Sequence, residues 1–589
     1  MPQSPGRFSR FGKEVKRRKV LRSLAIYAGT AFIILEASTI IFPRWNFPDW
    51  SIDLVLWILV LGAIINMIIA WFYDITSEGM QRTKALEEIP TEYKAPDSRG
   101  WKAATYISLV VIVALVVFNV IGPTKTLRAG DIQSLLVLPF ENFTGDDNLD
   151  YVASGMHSSL IGDIGQLSGL RVISKTTASI YKDQDISLPD MAFELNADAV
   201  VEPTVMCYGD SICIQIRVIT PFPEEKQIWI GEYKEEKSKI MSLYNRVTKQ
   251  IADEVMVQLT PGEEKLLAQA STVNIEAYDY YLKGLYNWEL FTGESIQLAL
   301  EYFTRAIEID PDWAPPYAGV AYYWIAIRQR GFAPPSITIP RIYESLEKAS
   351  KLDPNSAFVQ YVSALASVWT ELNWEKGEKE LLNVLKINPS DALAHLYYGH
   401  LLLILKRDEA ALAQANIAVD LDPMNPMVLG LSSMVLALTD ECEKAIELGE
   451  LALSLAPGNA AALTGIYLAY LYTEEYSKAL DPWMGTLSID KQTSMEILDV
   501  NEKEGFPAAV SLLAEKYLNT GHVVPCDLAL VYAAADNPSL AMDWIEKAYE
   551  EQDASIPYVG MNWFSREPFK IEDPRLNQLL KKLNLPLAD

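Results

Sequence analysis

Hydrophobic and polar positions change rhythm twice along this chain. The first stretch holds three long apolar runs, Leu24–Phe42, Leu54–Tyr73 and Ala103–Ile121. The first contains one charge, Glu36, and the other two contain none. Each run has about the ~20 residues needed to cross a bilayer core at helical rise. The pattern therefore predicts three transmembrane helices, over 24–42, 54–73 and 103–121. Trp45, Trp50, Trp57 and Trp71 fall near the run ends, where an amphipathic ring suits a membrane interface. Glu36 lies near the outer end of its run, at a depth similar to Asn119, and reads as a polar contact between helices.

From about residue 130 to 260 the period alternates between strand-like and helical. "SLLVLPF" and "LRVISK" read as strands around a helix at Tyr151–Leu167, and a second helix at Leu188–Leu195 leads into "ADAVVEPTVMC". "ICIQIRVIT" and "QIWIGEYKE" alternate apolar with polar residues, as half-buried antiparallel strands do. Residues 237–258 return to helical spacing. The order is β-α-β-α-β-β-β-α, an α+β domain.

From 274 to 560 the pattern is helical and repeats. Ala299, Phe303, Ala306 and Pro311 recur at the same offsets as Ala411, Ala415, Ala418 and Pro423, and again as Ala445, Gly449, Ala452 and Pro457. Pro389, Pro423 and Pro457 mark a 34-residue period, which is the tetratricopeptide (TPR) signature of paired helices. About seven repeats are legible, followed by a capping segment over 561–589. The expected fold is thus three transmembrane helices, an α+β domain and an all-α TPR solenoid. Stacked pairs make a superhelix whose inner groove is lined by first-helix residues. Repeat register assigns Tyr322, Phe358, Tyr361, Trp369, His400, Met427, Met434 and Tyr472 to that groove, a set of rings and thioethers suited to gripping a peptide.

Charge sharpens this picture. The net charge is −27, yet residues 1–123 hold 14 Lys/Arg against 10 Asp/Glu. The acidic remainder repels nucleic acid, so no nucleic-acid partner is expected. Eight Lys/Arg within Arg7–Arg22 and five within 74–102, against Arg44 alone in 43–53, favour a cytoplasmic amino terminus. Three crossings then place everything after about 122 in the periplasm of a bacterial inner membrane, with the bilayer itself as one partner.

Little in the chain suggests catalysis. "LLVLPFENFTGDDN" (135–148) has the strand-loop-helix layout of a phosphate cradle, but it lacks GxxxxGK[ST] and its loop is acidic. Four histidines, at 157, 395, 400 and 522, form no HExxH, and no GxSxG occurs. The expectation is a non-enzyme with no cofactor and no metal. Cys207 and Cys213 flank Asp210 symmetrically; in one hairpin register they face each other and can pair as a disulfide in an oxidising compartment, and one residue away from it they are two unpaired half-buried thiols.

The α+β stretch resembles the TolB-like amino-terminal domain of bacterial envelope and signalling proteins. The likeness rests on Leu138-Pro139-Phe140, Asn142, Gly145, Tyr151, Gly155, Leu160, Ala197 to Glu202, Trp229 and Tyr233, with Pro203 where a glycine is usual. The head, with Glu14 to Val20, Pro48-Asp49-Trp50 and Asp74 to Met80, is similar to that found before such domains, with Ser77 in place of a proline. The resemblance implies no catalytic residues. It implies a membrane-anchored scaffold or sensor that binds protein or peptide partners in the periplasm. A second reading is transmembrane signalling, since similar parts follow cyclase or winged-helix domains in relatives. An envelope enzyme is a third, and it requires a polar pocket that the sequence does not suggest.

Overall fold

The computed structural model describes residues 132–587 except 147–148, 183, 185, 223, 268–272, 291–292 and 522, and before them only parts of 27–38, 55–63 and 73–82. The chain is largely helical, with a small sheet and a helical repeat region, and divides into compact units at 1–124 and 125–589.

In the first unit, helical residues occur within 27–38 and 55–63, where the Tyr27 hydroxyl donates to Leu59 O (2.8 Å). Strands β1 (Tyr73–Thr76) and β2 (Gly79–Arg82) pair antiparallel, Tyr73 opposite Arg82. Among the described residues no helix is long and apolar enough to cross a membrane. That finding overturns the three expected transmembrane helices, and with them the placement in a bacterial inner membrane and the bilayer as a partner. The run expected to stay helical through Tyr73 ends in a strand there. The third run, 103–121, and Glu36 lie outside the described residues. The physical reason is that apolar length does not choose a backbone. Within the first two runs the described residues up to 63 are helical, yet apolarity does not fix how far a helix extends, and the second run ends as strand at Tyr73.

The second unit begins with a six-stranded mixed sheet in the order β5-β3-β6-β7-β8. Its strands are β3 (Ser134–Val137), β4 (Glu141–Asn142), β5 (Arg171–Val172), β6 (Ala199–Tyr208), β7 (Ser211–Thr220) and β8 (Lys226–Glu236). β3 pairs parallel with β5 and β6, and β4 adds to β6, while β6, β7 and β8 run antiparallel. Alternation decides the layers. Leu135 and Val137 join Ile212, Ile214 and Ile216 against helices α1 (Asp150–Ile164) and α4 (Ile240–Glu254). Leu136 and Val200 face the other way, onto α2 (Lys175–Lys182) and α3 (Leu188–Glu194). Helix α2 is an addition to the order read from the sequence. Cys207 lies opposite Cys213 across the hairpin, and the two sulfurs are bonded.

After α5 (Pro261–Leu267) come eight helix pairs, one more than the sequence pattern shows. They are α6 (Ile275–Leu290) with α7 (Gly293–Ile309), α8 (Ala314–Gln329) with α9 (Pro335–Leu352), α10 (Ala357–Trp369) with α11 (Trp374–Ile387), and α12 (Ala392–Ile404) with α13 (Asp408–Leu421). Then follow α14 (Pro426–Leu438) with α15 (Cys442–Leu455), α16 (Ala460–Tyr472) with α17 (Tyr476–Thr486), α18 (Lys491–Glu504) with α19 (Phe506–Leu518), and α20 (Pro525–Ala534) with α21 (Pro538–Glu550). Small residues set the spacing. Phe303 sits between Gly284 and Gly319, where added Cβ atoms would lie 2.5 and 3.0 Å from its ring. The period is also written in the backbone. Leu372, Lys406, Asp440 and Glu474, each 34 residues on, turn the first helix of a pair into the second with φ of 55°, 55°, 67° and 61°. Asp391, Asn425 and Asn459 cap the first helices at the same interval.

The sheet domain is seated on the loops of this array. Val172 N donates to Ser390 Oγ (3.1 Å), Ser174 N to Leu421 O (2.9 Å) and Arg171 Nη1 to Asp420 O (2.9 Å). Asp422, 1% exposed, accepts from Thr177 N (3.2 Å), Thr177 Oγ1 (2.8 Å) and Asn425 Nδ2 (2.7 Å). Lys175 pairs with Glu289 at 2.6 Å, and Lys237 with Asp279 at 2.6 Å.

Two substitutions test these features with opposite signs. Asp422→Ala strands the buried Thr177 donors and is expected to cost about 2–3 kcal/mol in urea denaturation. Glu474→Gly relieves a left-handed backbone that a side chain disfavours and is expected to gain about 0.5–1 kcal/mol in the same assay.

Candidate protein-binding surface

First helices pack on their successors: α8 on α10, α10 on α12, α12 on α14 and α14 on α16. A file of rings runs along this side. Trp288 lies 4.8 Å from Tyr322, Tyr322 lies 5.9 Å from Tyr361, Tyr361 lies 6.3 Å from Tyr397, and Tyr397 lies 5.2 Å from Trp369, as centroid distances. Phe358 meets Tyr322 edge-on at 6.3 Å. Such edge-to-face contacts are each worth about 0.5–1.5 kcal/mol beyond the area they bury.

The eight groove positions fall into two states. Tyr322, Phe358, Met427 and Tyr472 are half-buried, whereas Tyr361, Trp369, His400 and Met434 are buried. The structure brings Tyr322, Phe358, Tyr361 and Trp369 together in the ring file. Met427 stands apart, in the first turn of α14, where its N–H donates to the Asn425 cap. His400 is fully buried, with Nε2 3.1 Å from Leu431 O. Burial holds its imidazole down at about 4, against which the bond to Leu431 O pulls weakly upward.

What covers His400 and Met434 is the chain's own end. After α21 the backbone makes two short 3-10 turns, Ile556–Gly560 and Asn562–Ser565, and a final helix α22 (Pro574–Lys582). These do more than cap the last pair. Tyr558 stands edge-on to His400 at 6.0 Å, and the Arg566 guanidinium lies 4.3 Å over the Tyr472 ring. Asn562 Nδ2 donates to Asp408 Oδ2 (2.9 Å), Arg566 pairs with Asp440, and Trp374 Nε1 donates to Leu583 O (2.7 Å). Further back, Arg328 of α8 donates to Gln552 O (2.9 Å). Tyr558, Trp563, Phe564 and Arg566 are the inner-face residues that repeat register misses. Their signal is the aromatic density of "IPYVGMNWFSREPF", which has no helical period.

Two cavities bear on this surface. One, of about 530 Å³, is an open cleft where Lys283 approaches Tyr151 at the first repeat. The other, of about 220 Å³, lies on the inner side, between α14, α16, α17, α20 and the carboxyl-terminal turns, and Met434 lines it. Among the described residues no three His, Cys, Asp or Glu side chains gather as metal ligands.

These helix pairs define a TPR fold joined to an α+β domain. No protein-family model matches the chain. Among curated proteins it is similar to putative adenylate cyclase 3 of Rhizobium meliloti (strain 1021), 28% identical over 239 residues, covering 40% of each. It is also similar to transcriptional regulator HilA of Salmonella typhimurium, 23% identical over 301 residues, covering 49% of this chain and 51% of that one. The chain thus spans about half or less of the length of these relatives. Both matches are too long to fit in the first 131 residues, so they reach into the sheet-and-repeat part. Among solved structures it is similar to YrrB, a TPR protein with an unusual peptide-binding site (22% identity, 33% of this chain, 97% of that one, TM-score 0.24). PilF of Pseudomonas aeruginosa is another (18% identity, 41% and 98%, TM-score 0.29).

If the carboxyl-terminal turns are the lid over this face, removing one anchor must uncover His400. Tyr558→Ala is expected to cost about 3 kcal/mol in denaturation. Since burial alone lowers the His400 imidazole, the variant is also expected to move its titration from about 4 up toward the ordinary value, read from the histidine ring signals by NMR.

Proposed function

We propose that this chain is a protein–protein interaction scaffold without a reactive centre of its own. The observation that carries the reading is the aromatic file on the first helices. Its amino-terminal end, at Tyr322 and Phe358, is half-buried, while its other end is covered by the chain itself. Rings set on a rigid array offer contact area at little entropic cost, which is how interface anchors work. The α+β domain, read as TolB-like, adds a platform fixed to the array through Asp422 and Ser390.

A second reading is favoured by the names of the curated relatives, a putative adenylate cyclase and a transcriptional regulator. In it the scaffold is a regulatory module, and output belongs to a partner protein that it holds. Both readings require a polypeptide partner and differ in which protein that is.

Photo-crosslinking tests them. A crosslinkable amino acid placed at Tyr322 or Phe358 is expected to capture one discrete protein in the native host. The same group at Leu382 or Leu451, exposed on second helices, is expected to capture none. Equal capture from both faces, or none from the first, overturns the scaffold; a captured regulator or cyclase favours the second reading.

A further inference from the structure

The inner cavity carries a chemical instruction that the open file does not. Two stacked aromatic pairs wall it: Tyr467 on Trp483 (5.2 Å, 15°) from the repeats, and Tyr558 against Trp563 (6.3 Å, 1°) from the carboxyl-terminal turns. Between these walls opens one carboxyl group, Asp527, in the first turn of α20. Among the described residues no donor or cation engages that carboxyl. The charge nearest to it is another acid, Asp553, whose oxygens already accept from Cys526 N (3.3 Å) and Ser555 N (2.8 Å). Trp563, 9% exposed, closes the wall with its ring, and its Nε1 is buried away from the opening.

An unpaired carboxylate in an apolar cavity is costly, and rings facing it attract a cation through their π faces. A basic amino-acid residue supplies that cation on a side chain with an apolar stem for the aromatic walls. The volume, about 220 Å³, falls below the ~300–1,000 Å³ of sites for drug-sized ligands and suits one side chain.

We propose that this cavity receives a lysine or arginine side chain of a polypeptide partner, its cation against Asp527 between the aromatic walls. The assignment rests on the scaffold reading and names the chemistry its partner presents.

Burial, reinforced by the Asp553 charge, holds the Asp527 carboxyl up at about 7. An arriving cation therefore displaces a proton below neutrality, and affinity rises with pH through that range. The groups facing Asp527 do not imitate this. Tyr467, Tyr517 and Cys526 are pushed up by burial and stay neutral, and His400, beneath Tyr558, is already neutral at pH 5.5.

The test titrates the full chain with Nα-acetyl-lysine amide, Nα-acetyl-arginine amide and uncharged Nα-acetyl-norleucine amide by saturation-transfer NMR. At about pH 7.5 a basic probe is expected to bind at least about tenfold more tightly than norleucine amide, and about tenfold more tightly than at pH 5.5. Asp527→Asn is expected to abolish the difference between probes without loss of thermal stability. Binding independent of charge and pH, binding retained in the variant, or no binding of either basic probe overturns the site. The pH arm uses the unmodified chain and stands even if the variant misfolds. A partner crosslinked at Tyr322 with no probe binding sinks this site alone; probe binding with no crosslinked partner sinks the scaffold alone.

Discussion

The second unit depends on one constraint: the inner face of its repeat array is too apolar to be left in water. Helix pairs of this length bury one face against their neighbours, and a regular solenoid leaves its concave side to solvent. Here that side carries Tyr361, Trp369, Tyr397, Leu401, Met434 and Tyr467, all under 10% exposed. The repeats cannot achieve that burial alone. The carboxyl-terminal turns complete it, and one apolar core then runs from Ile296 to Leu585. Energetically this changes the character of the array. In an open solenoid each repeat senses only the next, whereas here Arg328 is tied to Gln552 and Trp374 to Leu583, contacts more than 200 residues apart in sequence. Unfolding of the second or third pair must therefore disturb the last.

The sheet domain obeys a related logic at its edges. β5 is only two residues long, and an uncovered edge invites pairing with other chains. Array loops cover it, with Ser390 Oγ taking the Val172 N–H and Leu421 O the Ser174 N–H. The opposite edge, β8, is uncovered in this way but guarded by its own composition. Lys226, Glu232, Lys234, Glu235 and Glu236 lie along it, and charge on an edge strand opposes pairing. One edge is thus available to join domain to array, and the other is refused to strangers.

How much of this was legible follows from what each feature needs. The repeats were legible because close helix crossings demand Ala or Gly at fixed offsets, as the Gly284–Phe303–Gly319 contact shows. Most of the element order along the chain was legible from alternation, as Ile212, Ile214 and Ile216 facing inward illustrate, whereas the two-residue β4 and helix α2 were not. Helix α18 was not, because it buries only Ile497 and carries no crossing pattern. The apolar runs at the amino terminus misled for the opposite reason: their pattern is strong in length and silent on backbone. Within the candidate site, repeat register found ring-file members such as Tyr322 and Trp369, because first-helix positions repeat. It could not find Tyr558 or Trp563, which sit in turns with no period, nor see that these would cover His400. Asp527 was equally hidden, since an acid one residue past Pro525-Cys526 reads as an ordinary helix start.

Covering the inner face decides what recognition remains to it. A fully open groove of aromatic and methionine side chains accommodates many peptides, because apolar contact discriminates weakly. Once the chain's own turns occupy most of that groove, two features are left, a half-buried ring end near Tyr322 and a cavity holding one unpaired acid. On the proposed reading the first supplies contact area, and the second favours a residue that brings a counter-charge to its carboxyl. A carboxyl held up at about 7 avoids much of the cost of an unpaired charge by keeping its proton, so a ligand without a cation meets a neutral acid and gains no charge pairing. On the proposed reading, self-occupancy narrows a broad apolar groove toward one that favours a basic residue. The same segment that stabilises the array is also what gives it a preference.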